Sequence, residues 1–560
     1  MLARMFELPP APRLSGPVLR SVIAATAADP VRRALAAIMR KELGLEAALA
    51  LPAAARDALP LHARPIRARD RRERAPAELA APEPSSLLPS ARGWQERYRS
   101  GEAKVEVVIE RALAEARRLA SASPTMSCFS ELAAESAMRD AKASAARWAK
   151  GEPLGPLDGV PVPIKEEVDI EGFGFRLGTS FIPRRSEASD ATAVRRLRAA
   201  GAIILGHTAM TEMGMSPLGG NSLREMPRNA HAADRLPGGS SSGSGVAVAS
   251  GLAPVALGVD GGGSIRVPAS FNGVFGIKPT FGRISRHGAG CGGTVAHLGP
   301  IGASAHDLAV FLEIASGADP EDVLTHQTPA LERGELTGAL TRGVEGLRIG
   351  VLEGELDAAD PAVGKACRDA LEALEREGAV LVQVELALAP HAPGMGYPTI
   401  GLETYVSLLH ARRDHFDAMG PDLQLLCRLL SAMKPDDYLE MQRLRATLRQ
   451  DTADLLREVD VLALPTTVGV APSVTDAEMR NGFADTPALA AACRFAFLGN
   501  LTGLPCGTAP VGSGEAGLPV GLQIVGDAFD EHTVLTVLGH LERIGVASVR
   551  APRIPVRPLG

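Results

Sequence analysis

What most restricts the folds open to this chain is an alternation. Short apolar runs, too brief for helices, are separated by segments with helical periodicity. The runs are Ile203-Ile204-Leu205, Val255 to Val259, Leu347 to Val351, Val380 to Val384, Val459 to Leu464 and Val520 to Val525. Each reads as a buried strand. Between them, Val105, Val108, Ile109, Ala112, Leu113 and Ala116 keep to one helical face, with Glu106, Glu110 and Arg117 off it. A second helix starts after Asp360-Pro361 and carries Val363, Cys367, Leu371 and Leu374. Strands alternating with helices imply an α/β protein, with a central mixed, largely parallel sheet covered by helices. No internal repeat is present.

Residues 1–85 differ from 86–560 and read as a helical and irregular N-terminal extension. Asp29-Pro30 resembles a helix cap followed by proline at the first helical position. Val31, Leu35, Ile38 and Met39 then share a face that must be buried, against the body of the protein or against another copy, as a homodimer. A Pro/Ala/Arg-rich stretch follows, with Arg64, Arg67, Arg69, Arg71, Arg72 and Arg74 close together. Asp70 and Glu73 interrupt it and no aromatic is interleaved, so a solvated linker is expected rather than a nucleic-acid arm. A formal net charge of −6 over 560 residues makes no case for nucleic acid or an anionic membrane.

The six cysteines, Cys128, Cys291, Cys367, Cys427, Cys493 and Cys506, form no C-x-x-C pair and fit reduced buried thiols. The N-terminus lacks an apolar signal core. The longest apolar stretch, Gly245 to Val259, is broken by Ser250 and Pro254 and is too short to span a bilayer. A cytoplasmic protein outside the membrane is the expectation.

The segment from Gly238 to Pro279, GGSSSGSGVAVASGLAPVALGVDGGGSIRVPASFNGVFGIKP, is rich in hydroxyls and in residues that let backbones approach closely. A phosphate-cradling loop would need G-x-x-x-x-G-K-[ST], which is missing. A nucleophile elbow is formally met by Gly239-Ser240-Ser241-Ser242-Gly243, with Asp530 and His532 as later partners. However, NAHAADRLP, not a strand, precedes it, and DAFDEHTVL reads as an ordinary helix start. His287, Cys291 and His297 suggest a metal only loosely. Their spacing matches no zinc pattern and a fourth ligand is missing.

The third reading is a resemblance. The GGSS start, the small-residue helix, the strand and then D-x-G-G-S-I-R-x-P-A and G-x-K-P resemble the amidase signature family. So do PLDGVPVPIKEEVDI, GAIILGHTAMTEMG, LGPIGASAHDLAVFLEIASG, DVLALPT and NLTGLPCGTAPVG with GLPVGLQIVG, over about residues 88 to 550. The resemblance implies hydrolysis of carboxylic amides, with esters and carbamates reacting by the same acyl-enzyme chemistry. It implies Ser264 as nucleophile, Ser240 as a bridging serine in a cis peptide bond and Lys165 as base. No metal or organic cofactor and no partner beyond a small amide substrate is implied. A lysine base must be neutral, and Val162, Pro163, Ile164 and Val168 supply apolar surroundings. Backbone N–H groups of Gly261, Gly262, Gly263 and Ser264 are expected to face the oxyanion. Ser241, Asp260 and Arg266 are expected to support the triad, and Lys278 matches a lysine of the motif that is not the base. Ser242, Gly261, Ala296 and Ala303 depart from the family's usual residues. The same resemblance admits a glutamine amidase subunit of a tRNA-dependent amidotransferase. Since every catalytic position lies between 165 and 264, residues 1–85 are expected to be dispensable for chemistry and to matter for assembly or access.

Overall fold

A computed structural model describes residues 12–56, 65–69 and 88–559. The strands are β1 (Leu14–Ser15), β2 (Phe129–Leu132), β3 (Pro161–Lys165), β4 (Ile203–Thr208), β5 (Val255–Asp260), β6 (Phe275–Lys278) and β7 (His297–Gly302). They continue with β8 (Arg348–Val351), β9 (Val380–Gln383), β10 (Val461–Pro465), β11 (Phe483–Ala484), β12 (Cys506–Ser513) and β13 (Pro519–Gly526). Eleven form one sheet in the order β2-β4-β3-β5-β7-β6-β12-β13-β10-β8-β9, and β1 pairs with β11 separately.

The mixed sheet is as expected, but its balance is not. Only β3–β4, β3–β5, β10–β8 and β8–β9 are parallel, while the other six pairings are antiparallel. The reason lies largely in β6, β7 and β12, strands whose glycines and prolines hide them from hydropathy and which pair only antiparallel. Val380 is 42% exposed, so β9 is an edge strand rather than a buried one. Both helices read from the sequence are present, over Val105–Ala120 and Pro361–Arg376, with the expected apolar residues buried.

Three helices of the extension, α1 (Gly16–Ala25), α2 (Asp29–Glu42) and α3 (Leu45–Leu49), pack on the body. The buried face of α2 is shifted from the expected one. Ala36 and Met39 are buried with Leu43 and Leu19 against Leu425 and Leu429, whereas Val31 and Ile38 are exposed. Burial of each large apolar side chain contributes roughly 1.5–3 kcal/mol, so this small cluster is enough to seat the helix pair. Part of the Arg-rich stretch is also held. The N–H groups of Ala68 and Arg69 donate to Asp527, and the Arg69 guanidinium reaches Asp460 at 2.5 Å. That docking replaces the expected solvated linker at residues 65–69. Arg64, Arg71, Arg72 and Arg74 lie outside the described residues.

Candidate active site

Parallel neighbours β3 and β5 end on the same edge of the sheet, and their carboxyl ends carry Lys165 and Asp260. Loops leaving that edge are where α/β sheets place their ligands. Lys165 is fully buried, and its Nζ donates to Ser240 Oγ at 2.8 Å and to the Val259 carbonyl at 3.1 Å. The peptide between Gly239 and Ser240 is cis. Ser241 ties the two loops together: its N–H donates to the Ser264 carbonyl, and its hydroxyl lies 3.3 Å from both the Val259 N and O atoms.

The turn after β5 is organised by Asp260. Its carboxylate forms a double hydrogen bond with Arg266, at 3.0 Å from Nε and 2.9 Å from a terminal nitrogen, and both residues are wholly buried. It also accepts from the N–H groups of Gly263 and Ile265 and from the Asn500 amide. Burial alone would push this carboxyl up. The Arg266 charge and these donors instead hold it well below the usual carboxylate range. Arg266 in turn bonds Gln523, Asn500 and the Ala496 carbonyl, which pins the turn to the far half of the sheet.

This arrangement corrects one expectation. The Gly263 N–H is used by Asp260 at 2.7 Å, so it does not face an oxyanion. A Cβ on Gly262 would meet the Phe497 ring at 2.7 Å and push it aside, while one on Gly261 would meet only the end of the Ile400 side chain at 2.8 Å.

Ser264 opens into a cavity of about 140 Å³. Its walls are mainly apolar, with Met215, Ile400, Leu429 and Phe497 from the body and Met39 and Leu43 from the extension. Glu212 and Asp422 form a polar corner.

Sequence reasoning missed Glu167. The chain turns after β3, with the Val168 N–H donating to the Lys165 carbonyl, and the Glu167 carboxylate returns to 2.6 Å from Lys165 Nζ. The K-E-E run was the only available signal. Lys278 stays apart, donating to the Pro279 and Leu504 carbonyls, and burial pushes it down to about 8. Asp530 caps the helix Glu531–Arg543, as its sequence suggested. His297 Nδ1 lies 2.8 Å from the Val295 carbonyl and His287 faces Thr192. Among the described residues no group of three or more His, Cys, Asp or Glu is placed to hold a metal. Nor, among them, is any helix long and apolar enough to cross a membrane. All six cysteines are buried free thiols.

The family model described as Amidase matches residues 110–535, which include Lys165, Ser240, Asp260 and Ser264 but not the cavity walls from the extension. The chain belongs to the Amidase family. It is 32% identical to a fatty acid amide hydrolase of Oryza sativa subsp. indica, covering 84% of this chain and 79% of that protein. It is 35% identical to a glutamyl-tRNA(Gln) amidotransferase subunit of Roseiflexus castenholzii, over 78% of this chain and 92% of that one. The native peptide amidase of Stenotrophomonas maltophilia superposes with a TM-score of 0.69 at 26% identity, covering 83% of this chain and 98% of that one. The mixed sheet with its covering helices is thus the fold of an amidase, and the chain is an amide hydrolase of that family.

Proposed function

We propose that this amidase cleaves amides bearing an apolar group, through an acyl-enzyme on Ser264. The observation that carries the reading is the 2.8 Å hydrogen bond from buried Lys165 to Ser240, beside a serine that opens into an apolar cavity. Ser240 Oγ takes the proton of Ser264 while its own proton passes to the Lys165 amine. Ser264 Oγ then bonds to the amide carbon. The oxyanion faces the N–H groups of Gly261, Gly262 and Ser264, donors worth typically about 3 kcal/mol each. Collapse breaks the C–N bond, and the proton on Lys165 returns through Ser240 to the leaving nitrogen. Water cleaves the acyl-serine ester by the same route. The Glu167 carboxylate faces the ammonium that forms on Lys165.

Leucine, methionine and phenylalanine walls suit an acyl chain better than the side chain of glutamine. The test is hydrolysis by the purified chain of a medium-chain anilide against glutamine. Anilide turnover well above glutamine turnover is expected. Preference for glutamine would instead favour the ammonia-supplying role of amidotransferase subunits.

A further inference from the structure

The apolar cavity has one corner that its walls do not explain. Glu212 lies on the one-turn helix Glu212–Gly214, and a Cβ added at Gly214 would sit 3.3 Å from Ser240 Oγ, so this turn borders the chemistry. Glu212 is only 3% exposed. One carboxylate oxygen accepts from the Gly420 N–H at 2.8 Å, while the other, Oε1, is buried with no hydrogen-bond partner among the described residues. A Cβ on Gly420 would lie 3.0 Å from both Glu212 Oε2 and Asp422 Oδ1 and 3.3 Å from Ser222 Oγ. Three oxygens are thus grouped beside Gly420; the Glu212 atom among them, Oε2, already accepts from the Gly420 N–H, and the Ser222 hydroxyl is buried without a partner among the described residues. Gly420 has φ −62°, which any residue adopts, so its lack of a side chain keeps this space open rather than permitting a turn.

Asp422 alone has a structural explanation, as an acid in the first turn of the helix Pro421–Leu430. Glu212 has none for its second oxygen. Arg224 attracts the Glu212 carboxylate only through space; its guanidinium donates to the Thr179 carbonyl and faces the Glu166 carboxylate. Arg40, also on the cavity wall, is paired with Asp437 and Glu46. Cys427 and Arg428 follow on the same helix as Asp422, with Arg412 beside them. Burial keeps the thiol neutral, up at about 11, and Arg428 stacks on Phe416 while Arg412 stacks on Tyr405. A buried Glu212 and a half-buried Asp422, neither of them in an ion pair among the described residues and both lining the cavity that holds Ser264, are the kind of cost a protein carries for a ligand.

We infer that Glu212 and Asp422, with the Ser222 hydroxyl, bind a cationic group of the substrate, an ammonium or guanidinium carried at a distance from the scissile amide. This rests on the acyl-enzyme reading and adds a second specificity element to it. An ammonium has three donors and no acceptor, which matches the three grouped oxygens. The apolar walls take the connecting chain, so the favoured substrate is an amide with an apolar arm ending in a cation.

Burial and the neighbouring Asp422 charge push Glu212 up to about 8, and burial pushes Asp422 up to about 6. A bound cation needs both carboxylates ionised. Cation binding therefore releases protons at neutral pH and strengthens as pH rises from about 6 to about 8.

The experiment compares two medium-chain acyl anilides, one ending in a methyl group and one in an ammonium, with the full chain and with Glu212→Gln and Asp422→Asn. Glutamine keeps an oxygen for the Gly420 N–H but carries no charge. The ratio of kcat/KM for the ammonium substrate over the methyl substrate should fall at least about tenfold in each variant, through KM. In the unchanged protein that ratio should climb between pH 6 and 8, and Glu212→Gln should flatten the climb. A purely structural lesion lowers both substrates together and leaves the ratio alone, and that result overturns the inference. If neither anilide is turned over by the unchanged protein, the acyl-enzyme reading falls and this inference falls with it.

Discussion

Lys165 and Asp260 are both buried at the carboxyl ends of adjacent strands, yet their surroundings set them different tasks. Asp260 has every lone pair occupied, by Arg266, Asn500 and two backbone N–H groups. It acts by holding the Gly261–Ser264 turn in shape. Asp260→Asn should cost about 3–5 kcal/mol, because it leaves Arg266 buried without its counter-charge. Urea unfolding measures this, and activity should fall with the turn. Lys165 keeps few partners, the Ser240 hydroxyl, the Val259 carbonyl and Glu167. Lys165→Ala should lower kcat by several orders of magnitude, typically 10²–10⁴ or more, with little change in KM, as steady-state rates on an anilide would reveal. His207 gives a pH signature of stability. Burial pushes its imidazole down to about 4 from an ordinary 6.5, outweighing the hydrogen bond to the Val168 carbonyl, which acts upward. Below 6.5 the unfolded chain takes up a proton that the fold refuses. Its contribution is therefore intact above 6.5 and is lost as pH falls toward 4. Thermal melts between those pH values should show the slope, and His207→Asn should reduce it.

At the scale of elements, what could be read from the sequence depended on how apolar each element was. Val255–Asp260 and Val461–Pro465 announce themselves as continuous apolar runs. β3 does not, since Pro161 and Pro163 argue against a central strand, and its pairing with β4 slips between Val162 and Ile164, beside Pro163. Lys165 was therefore found by motif spacing alone, without its strand. The motif also supplied Ser240, Ser241, Ser264, Asp260 and Arg266. It could not supply Glu167, which a local turn brings back to Lys165, or Asn500, Glu212 and Asp422, whose roles arise only where distant segments meet. The Gly263 assignment failed for a related reason: spacing shows that three glycines line a turn, not which N–H the Asp260 carboxylate takes. The extension was legible as a helix but not as a cavity wall. Deleting residues 1–85 should keep hydrolysis of a small amide within about tenfold. It should sharply reduce the preference for long over short acyl chains, because Met39, Leu43 and Leu45 line the cavity. Loss of all activity in a folded truncated protein would give the extension a direct part in the chemistry.

Across the whole molecule, the sheet brings together segments nearly 400 residues apart. α2 of the extension, the turn after β5 and the helices Ala392–Ser407 and Pro421–Leu430 all border the space in front of Ser264. That space is mainly apolar, and Glu212, Asp422 and Ser264 all line it. The account depends above all on Ser264 being the residue that becomes acylated with help from Lys165. The most direct measurement is covalent labelling by a fluorophosphonate, located by peptide mass spectrometry, in the unchanged protein and in Lys165→Ala. The account predicts one label, on Ser264, with its rate of attachment greatly reduced in Lys165→Ala. A label on Ser241, or labelling of Ser264 at an undiminished rate without Lys165, would contradict it.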